Sequence, residues 1–467
     1  MKQLSGLDAA FYHQDSQRTP MHVTAVLIYS SVDANTALTE RRLADVMAHA
    51  GSRYEFINHK LVDHTMGIEE PYWVRDNNFL ATNHISEQQL PLPGNWTQLK
   101  DLAGRIHSRQ MTREQPLWDL TIIRGIGSTD FCSTNSVALV FRFHHAVADG
   151  VSLAGFLAWL HENYETELPK TLQKRVNEKL DIFSLWQRSS TKSWARPLRL
   201  AKTISDILPR MNSEAGANQL ERADTSIANI KTQFNEKISG ARLVGAVQLP
   251  FQEIREIKKN IRRVTLNDIA LGVVSGALRE YLASHDALPE TSIVSGVPIS
   301  LRSKGMNKKG NDISMMQVGL ASEIDDPVER VRAIHEYALA GKAKTEILGN
   351  KLLQDISDGM APAMLAQGIK LLSFATMATE LPVPFHTLIS NVPGSVIPVS
   401  LGTNPLVAQF GLGPLRDNMG LFHIVTNTDT NFAISFCSCE DMMADPDFYE
   451  ECLKQSFTNL LNASRKC

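Results

Sequence analysis

The chain has 467 residues, 43% of them hydrophobic and 21% charged, with a formal net charge of -3. The length exceeds the roughly 250–300 residues at which a single hydrophobic core stops growing, so two domains are expected. The near-neutral balance excludes a global pull toward nucleic acid, and no run reaches the roughly 18 apolar residues that span a bilayer.

The opening Met1-Lys2-Gln3-Leu4-Ser5 continues as mixed polar sequence without an apolar signal core, which predicts a cytoplasmic protein, soluble or peripheral. Residues 21–30 (MHVTAVLIYS) read as a strand, rich in β-branched residues and without helical period. Residues 36–50 read as a helix capped by Asp33 or Asn35, and residues 99–109 as a second helix. Residues 119–125 (DLTIIRG) and 136–143 (SVALVFRF) read as strands, and residues 151–164 as an apolar helix. Alternating strands and helices of this kind build a layered α/β domain.

The texture then changes. Residues 170–210 hold ten Lys and Arg against Glu178, Asp181 and Asp206, with Trp186 and Trp194 among aliphatic residues. This composition suits an anionic lipid surface, and equally a solvated pair of linker helices. Residues 211–240 are largely polar. The expected organisation is therefore a first domain over 1–170, a basic helical linker over 171–240 and a second domain over 241–467.

The second half restarts the alternation. Strands are expected at 243–250 and 292–299, and helices at 251–260, 265–285 and 326–348. Residues 352–380 form an apolar helical region interrupted by Pro362, suited to line a channel or simply to pack. Residues 387–392 and 396–399 look extended, 420–426 and 431–439 resemble a hairpin, and a helix closes the chain over 445–461. The five cysteines are an odd set without framework spacing, which predicts reduced thiols. Cys437 and Cys439 fit one face of a strand, and no cysteine has the second pair a zinc site needs, so no metal is expected.

The chemistry gathers at His144-His145-Ala146-Val147-Ala148-Asp149-Gly150. A buried-looking strand runs into the two histidines and a helix starts after them, and reactive groups in α/β sheets collect beyond the carboxyl ends of strands. Neutral imidazole is a competent general base near pH 7. Adjacent strand residues point to opposite faces, so one histidine is expected to face a cleft and the other the interior. The same alternation disfavours a shared metal. Satisfied core histidines remain the alternative reading of the segment taken alone.

The segment resembles the HHxxxDG signature of CoA-dependent acyltransferases. The chain as a whole resembles the bacterial wax ester synthase/acyl-CoA:diacylglycerol acyltransferase family. The likeness runs through Leu4-Ser5-Gly6-Leu7-Asp8-Ala9-Ala10-Phe11, Pro20-Met21-His22-Val23, Pro116-Leu117-Trp118, Asn267-Asp268, Val297-Pro298-Ile299-Ser300-Leu301-Arg302, Gly310-Asn311 and Ser390-Asn391-Val392-Pro393-Gly394. Asp119 stands where glutamate is expected and Ser395 where proline is.

The resemblance implies two chloramphenicol-acetyltransferase-like α/β domains with the active site in a channel between them. It implies an O-acyltransferase acting on acyl-CoA, with His145 as base, His144 structural and no acyl-enzyme. The acceptor would be a long-chain alcohol or diacylglycerol, with acyl-CoA a substrate and no cofactor required. On this reading Asn267 is a candidate polar partner at the site, the alternative being that it merely caps its helix. Asp149 and Gly150 shape the loop, with Arg302 the candidate partner of Asp149. Pro116, Leu117, Trp118, Ser390 and Asn391 are candidate substrate contacts, with core packing the alternative for Pro116-Leu117-Trp118 and plain turn geometry the alternative for the segment after Asn391. The implied partners are the two substrates and a membrane or lipid-inclusion surface, with no nucleic acid. Two other readings stand beside it: a condensation-domain-like acyltransferase that keeps the fold with another acceptor, and, from a different class, a non-catalytic lipid-droplet-binding protein.

Overall fold

In a computed structural model the chain is described over residues 2–30, 38–63, 66–134, 136–147, 150–166, 196–211, 230–300, 313–348, 352–379, 381 and 383–467. Ser5 caps the first helix, α1 (Gly6–Gln14), by accepting the Asp8 N–H at 3.1 Å, and β1 (His22–Tyr29) follows. Helix α2 (Glu40–Ala50) is capped by Thr39; Asp33 and Asn35, the expected caps, lie outside the described residues. A single turn, α3 (Glu55–Asn58), leads to the hairpin β2 (His59–Val62) and β3 (Tyr72–Arg75). Then come β4 (Ile85–Gln89), α4 (Trp96–His107), β5 (Trp118–Ile126), β6 (Ser136–His144) and α5 (Gly150–Asn163). An Asn95/Gln98 capping box sets the start of α4.

Of the basic linker, α6 (Arg196–Met211) is described. Beyond it lie β7 (Leu243–Pro250), α7 (Phe251–Asn260), α8 (Leu266–Ala283), β8 (Val294–Ser300), β9 (Ile313–Gly319), α9 (Pro327–Leu348), α10 (Leu352–Gly359) and α11 (Pro362–Ala378). Pro362 takes the first position of α11, where its missing N–H costs nothing, so it starts a helix rather than kinking one. The chain ends with β10 (Thr387–Asn391), β11 (Ser400–Leu401), β12 (Asn404–Leu412), the hairpin β13 (Leu421–Asn427) and β14 (Asn431–Ser438), and α12 (Pro446–Ser464) capped by Asp445.

Two six-stranded mixed sheets result, ordered β11-β12-β1-β6-β5-β4 and β7-β14-β13-β10-β8-β9. β12 belongs to the second half of the sequence but pairs antiparallel with β1, Thr24 opposite Leu412. The sheets therefore exchange a strand across the expected domain boundary. Gly411 makes this possible: a Cβ there would lie 2.6 Å from the Ile424 side chain, so only glycine lets β12 lie on β13. The Ser435 hydroxyl fastens the crossing by donating to the Gly411 carbonyl at 2.7 Å.

One face of the first sheet packs on α2 and α5, through Leu43, Val46, Phe156 and Leu160 against Leu27, Leu139 and Phe141. Its other face, with Val26, Ile28, Ala138 and Val140, joins α4 and the second half in one continuous core. Burial on both faces explains why β6 reads as an apolar run from Val137 to Phe141. Among the described residues no helix is long and apolar enough to cross a membrane.

Candidate active site

Arg142, His144 and the apolar Ala138 and Val140 alternate along β6 with Phe141 and Phe143. Arg142 is buried, and its charge is met by Asp119 on β5, whose carboxylate takes two guanidinium bonds, one of 2.8 Å. A further Arg142 N–H donates to the Ile106 carbonyl at 2.6 Å. Asp119, the departure from the family pattern, is thus the strand's counter-charge.

The end of β6 is clamped from both sides. The His144 N–H donates to the Leu117 carbonyl at 3.1 Å, and the His145 N–H to the Met21 carbonyl at 2.7 Å. The two side chains then part. His144 is buried; its Nδ1 accepts the Ala146 N–H at 3.1 Å, which leaves the ring proton on Nε2. That Nε2 faces Asp15 Oδ1 at 3.7 Å, an electrostatic approach too long for a hydrogen bond. Burial, with the neighbouring His145 and Arg113 adding to it, lowers the His144 pKa to about 3. His144 is therefore neutral at physiological pH.

Asp15 closes this network. Its Oδ1 accepts the Met21 N–H at 2.9 Å, its Oδ2 accepts from Gln110, and Arg113 lies at 3.6 Å. Burial raises its pKa, partly opposed by those donors. Asp15 thus anchors Met21, which in turn holds the His145 backbone.

His145 is half-buried and lies under Phe11 of α1, the ring centroids 4.3 Å apart and the planes 30° from parallel. The Ser5 cap of α1 places Phe11 there, which gives the opening Leu4–Phe11 stretch a physical role. The Ser5-x-x-Asp8 spacing was the available signal for this helix.

The other expected site residues divide. Pro116, Leu117 and Trp118 are buried and serve the core. The Trp118 indole N–H donates to the Ile57 carbonyl at 2.9 Å and its ring stacks on His84, 4.6 Å between centroids, so the segment is packed into the core, the alternative its sequence left open. Gly150 opens α5, while Asp149 and Arg302 lie outside the described residues. Ser390 and Asn391 end β10 beside Ile424 and Val425, and among the described contacts neither meets His145.

Asn267 stands in the first turn of α8, which runs antiparallel to α12: Gly276 lies against Ser456, Gly272 near Leu460, and Tyr281 against Tyr449. Tyr449 holds His423 near the start of β13, so the first turn of α8 lies where β13 ends. The histidines are at the opposite end: His22, paired with His144, bonds the His107 carbonyl, and the His107 ring bonds Gly413, which packs on Phe422. The structure does not bring Asn267 to His145. Its neighbour Asp268 completes the helix cap and pairs with His335 at 2.8 Å, a structural use of the Asn-Asp motif.

The sequence matches the wax ester synthase/diacylglycerol acyltransferase catalytic domain over residues 4–270 and the C-terminal domain of the same family over 309–461. The chain belongs to this family. It is an acyltransferase. A putative diacylglycerol O-acyltransferase of Mycobacterium tuberculosis (strain ATCC 25618 / H37Rv) is 27% identical over 461 residues, 97% of this chain and 90% of that protein. A probable diacylglycerol O-acyltransferase of the same strain is 27% identical over 92% of each chain.

Solved structures share the fold. The wax ester synthase/diacylglycerol acyltransferase from Marinobacter aquaeolei VT8 superposes with a TM-score of 0.67 at 22% identity, covering 99% of this chain and all of that one. A trichothecene 15-O-acetyltransferase from Fusarium sporotrichioides gives a TM-score of 0.59 at 11% identity, covering 99% and 95%. The mixed α/β two-domain architecture is thus that of the wider acyltransferase and condensation-domain group.

Proposed function

We propose that this acyltransferase moves a long-chain acyl group from acyl-CoA to the hydroxyl of a fatty alcohol or diacylglycerol, with His145 as general base. The observation that carries the reading is the division of labour between the two histidines. His144 is buried and neutral and ties the turn together, while His145 is half-buried, clamped through its backbone and in tilted ring contact with Phe11. Membership of the family supplies the reaction class.

The reaction is a direct displacement. His145 takes the hydroxyl proton as the acceptor oxygen bonds to the thioester carbonyl carbon. The tetrahedral intermediate collapses, the C–S bond breaks, and the departing thiolate recovers the proton from the imidazolium. The products are the ester and free CoA, with His145 neutral again and no bond made to the enzyme. The names of the mycobacterial relatives support diacylglycerol as one acceptor.

The test is thiol release from palmitoyl-CoA with hexadecanol or a diacylglycerol, with product analysis for each. Ester formation by the wild type and its loss in His145→Ala are expected. Equal ester formation by both proteins would overturn the assignment of the base.

A further inference from the structure

The channel expected from residues 352–380 is not how α11 uses its apolar residues. This helix buries Pro362, Ala366 and Thr376, yet Met364, Leu371, Leu372 and Phe374 are 59–68% exposed, and Lys370 is its one charged residue. The surrounding surface continues the pattern. Leu381 follows the helix, Leu198 lies on α6, and Met66 and Ile68 belong to the loop whose Gly67 carbonyl accepts the Ala363 N–H at 3.1 Å. Eight of the thirteen exposed large apolar residues among those described therefore lie on α11 or on segments next to it, and the other five are spread over four separate segments. A cluster of this kind on a folded chain marks an interaction surface.

We infer that the outward face of α11 seats this protein on an anionic phospholipid membrane. The inference rests on the proposed reaction in one respect, that both substrates partition into lipid. The occupant is argued from charge and from continuity with the site. The exposed cations are Lys370 on α11 itself and Arg199 and Lys202 on α6, which packs on α10 just ahead of α11; the exposed acids of α6 and α10 are Asp206 and Asp355. The apolar helix itself thus presents only positive charge, as helices that lie in the interface of anionic lipid do. Arg196, part of the basic stretch first considered for this role, does not contribute: it is buried, bonded to the Ile68 carbonyl and paired with Glu70. The inner face of α11 packs on α1, and α1 carries Phe11 on His145. A chain leaving the bilayer beside α11 meets the helix that borders the base.

The experiment is flotation of the full chain with vesicles of phosphatidylcholine, with and without phosphatidylglycerol. Wild type floats with the anionic vesicles. The triple variant Leu371→Ser, Leu372→Ser, Phe374→Ser loses at least about tenfold in bound fraction. Lys370→Glu and Lys202→Glu each weaken anionic binding by about fivefold or more. An unchanged melting temperature shows that the variants are folded, and thiol release with butyryl-CoA and hexanol in the absence of vesicles remains at the wild-type level. If the proposed reaction itself is wrong, that soluble assay fails for all proteins while flotation still reports on the surface. Failure of the wild type to float, or equal flotation of the triple variant, overturns the inference. So does a wild-type dimer that the triple variant splits, since the face would then belong to a second copy.

Discussion

The Phe11 ring lies 4.3 Å from the ring of His145 and is tilted 30° to it. This contact joins the first helix of the chain to the proposed base. It leaves the imidazole one defined face, while its backbone is held by Met21.

Aromatic pairs of this geometry are worth about 0.5–1.5 kcal/mol beyond burial. Phe11→Ala is expected to lower kcat by up to about tenfold, with KM for acyl-CoA within about twofold of wild type. Phe11→Tyr keeps the stack and most of the rate. Steady-state kinetics on the three proteins checks this; a rise in KM at constant kcat would make Phe11 a binding residue instead.

Asp15 is expected to act on the base through Met21. Asp15→Ala strands the buried Met21 N–H, at about 1–3 kcal/mol, and releases the half-buried Gln110 amide. The melting temperature and kcat fall together, and Asp15→Asn, which keeps an acceptor for Met21, restores part of both. An Asp15→Ala protein with wild-type stability and rate would remove Asp15 from the account.

Trp118 tests the reassignment of the Pro-Leu-Trp segment to the core. Trp118→Phe removes the indole donor to Ile57 and leaves a buried carbonyl unpaired, costing about 1–3 kcal/mol. Denaturant midpoints should shift while KM for both substrates stays put. A selective rise in KM without loss of stability would return the segment to the substrate site.

Acid sensitivity follows from the buried histidines. Burial lowers the pKa of His107, His144 and His423 to about 3, against 6.5 for the exposed residue. Above pH 6.5 folded and unfolded forms are both neutral, and these groups add no pH dependence to stability. Between pH 6.5 and 3 the unfolded chain binds protons that the folded chain refuses, so stability falls as pH falls, by up to about 1.4 kcal/mol per pH unit for each histidine. Melting temperatures across pH 7.5 to 5 should therefore drop below about 6.5. His107→Gln should reduce the slope; a slope unchanged by this variant would count against the buried-histidine cause.

Local sequence exposed much of the framework and little of its assembly. The strand running into His144-His145 was legible because β6 is buried on both faces; the two histidines do part, although His145 lies one residue beyond the strand whose alternation suggested it. The exchange of β12 was not legible, since a strand's residues do not say which sheet they join and the deciding glycine, Gly411, acts only against a distant Ile424. Asn267 was a candidate through the family resemblance and its amide donor, and the sequence does not show at which end of the sheet its helix starts. In α11 an apolar composition suggested an interior that the packing of α1 on one face does not provide. The motif could be read from neighbours along the chain, whereas the site's supports (Phe11, Asp15 and Met21) lie far from it in sequence.

The central claim is that His145 removes the acceptor's proton. The most direct measurement is ester formation from palmitoyl-CoA and hexadecanol by wild type, His145→Ala and His144→Asn, followed against pH. The account predicts near-complete loss in His145→Ala at unchanged melting temperature, and residual activity with reduced stability in His144→Asn. Wild-type ester formation by folded His145→Ala would contradict it.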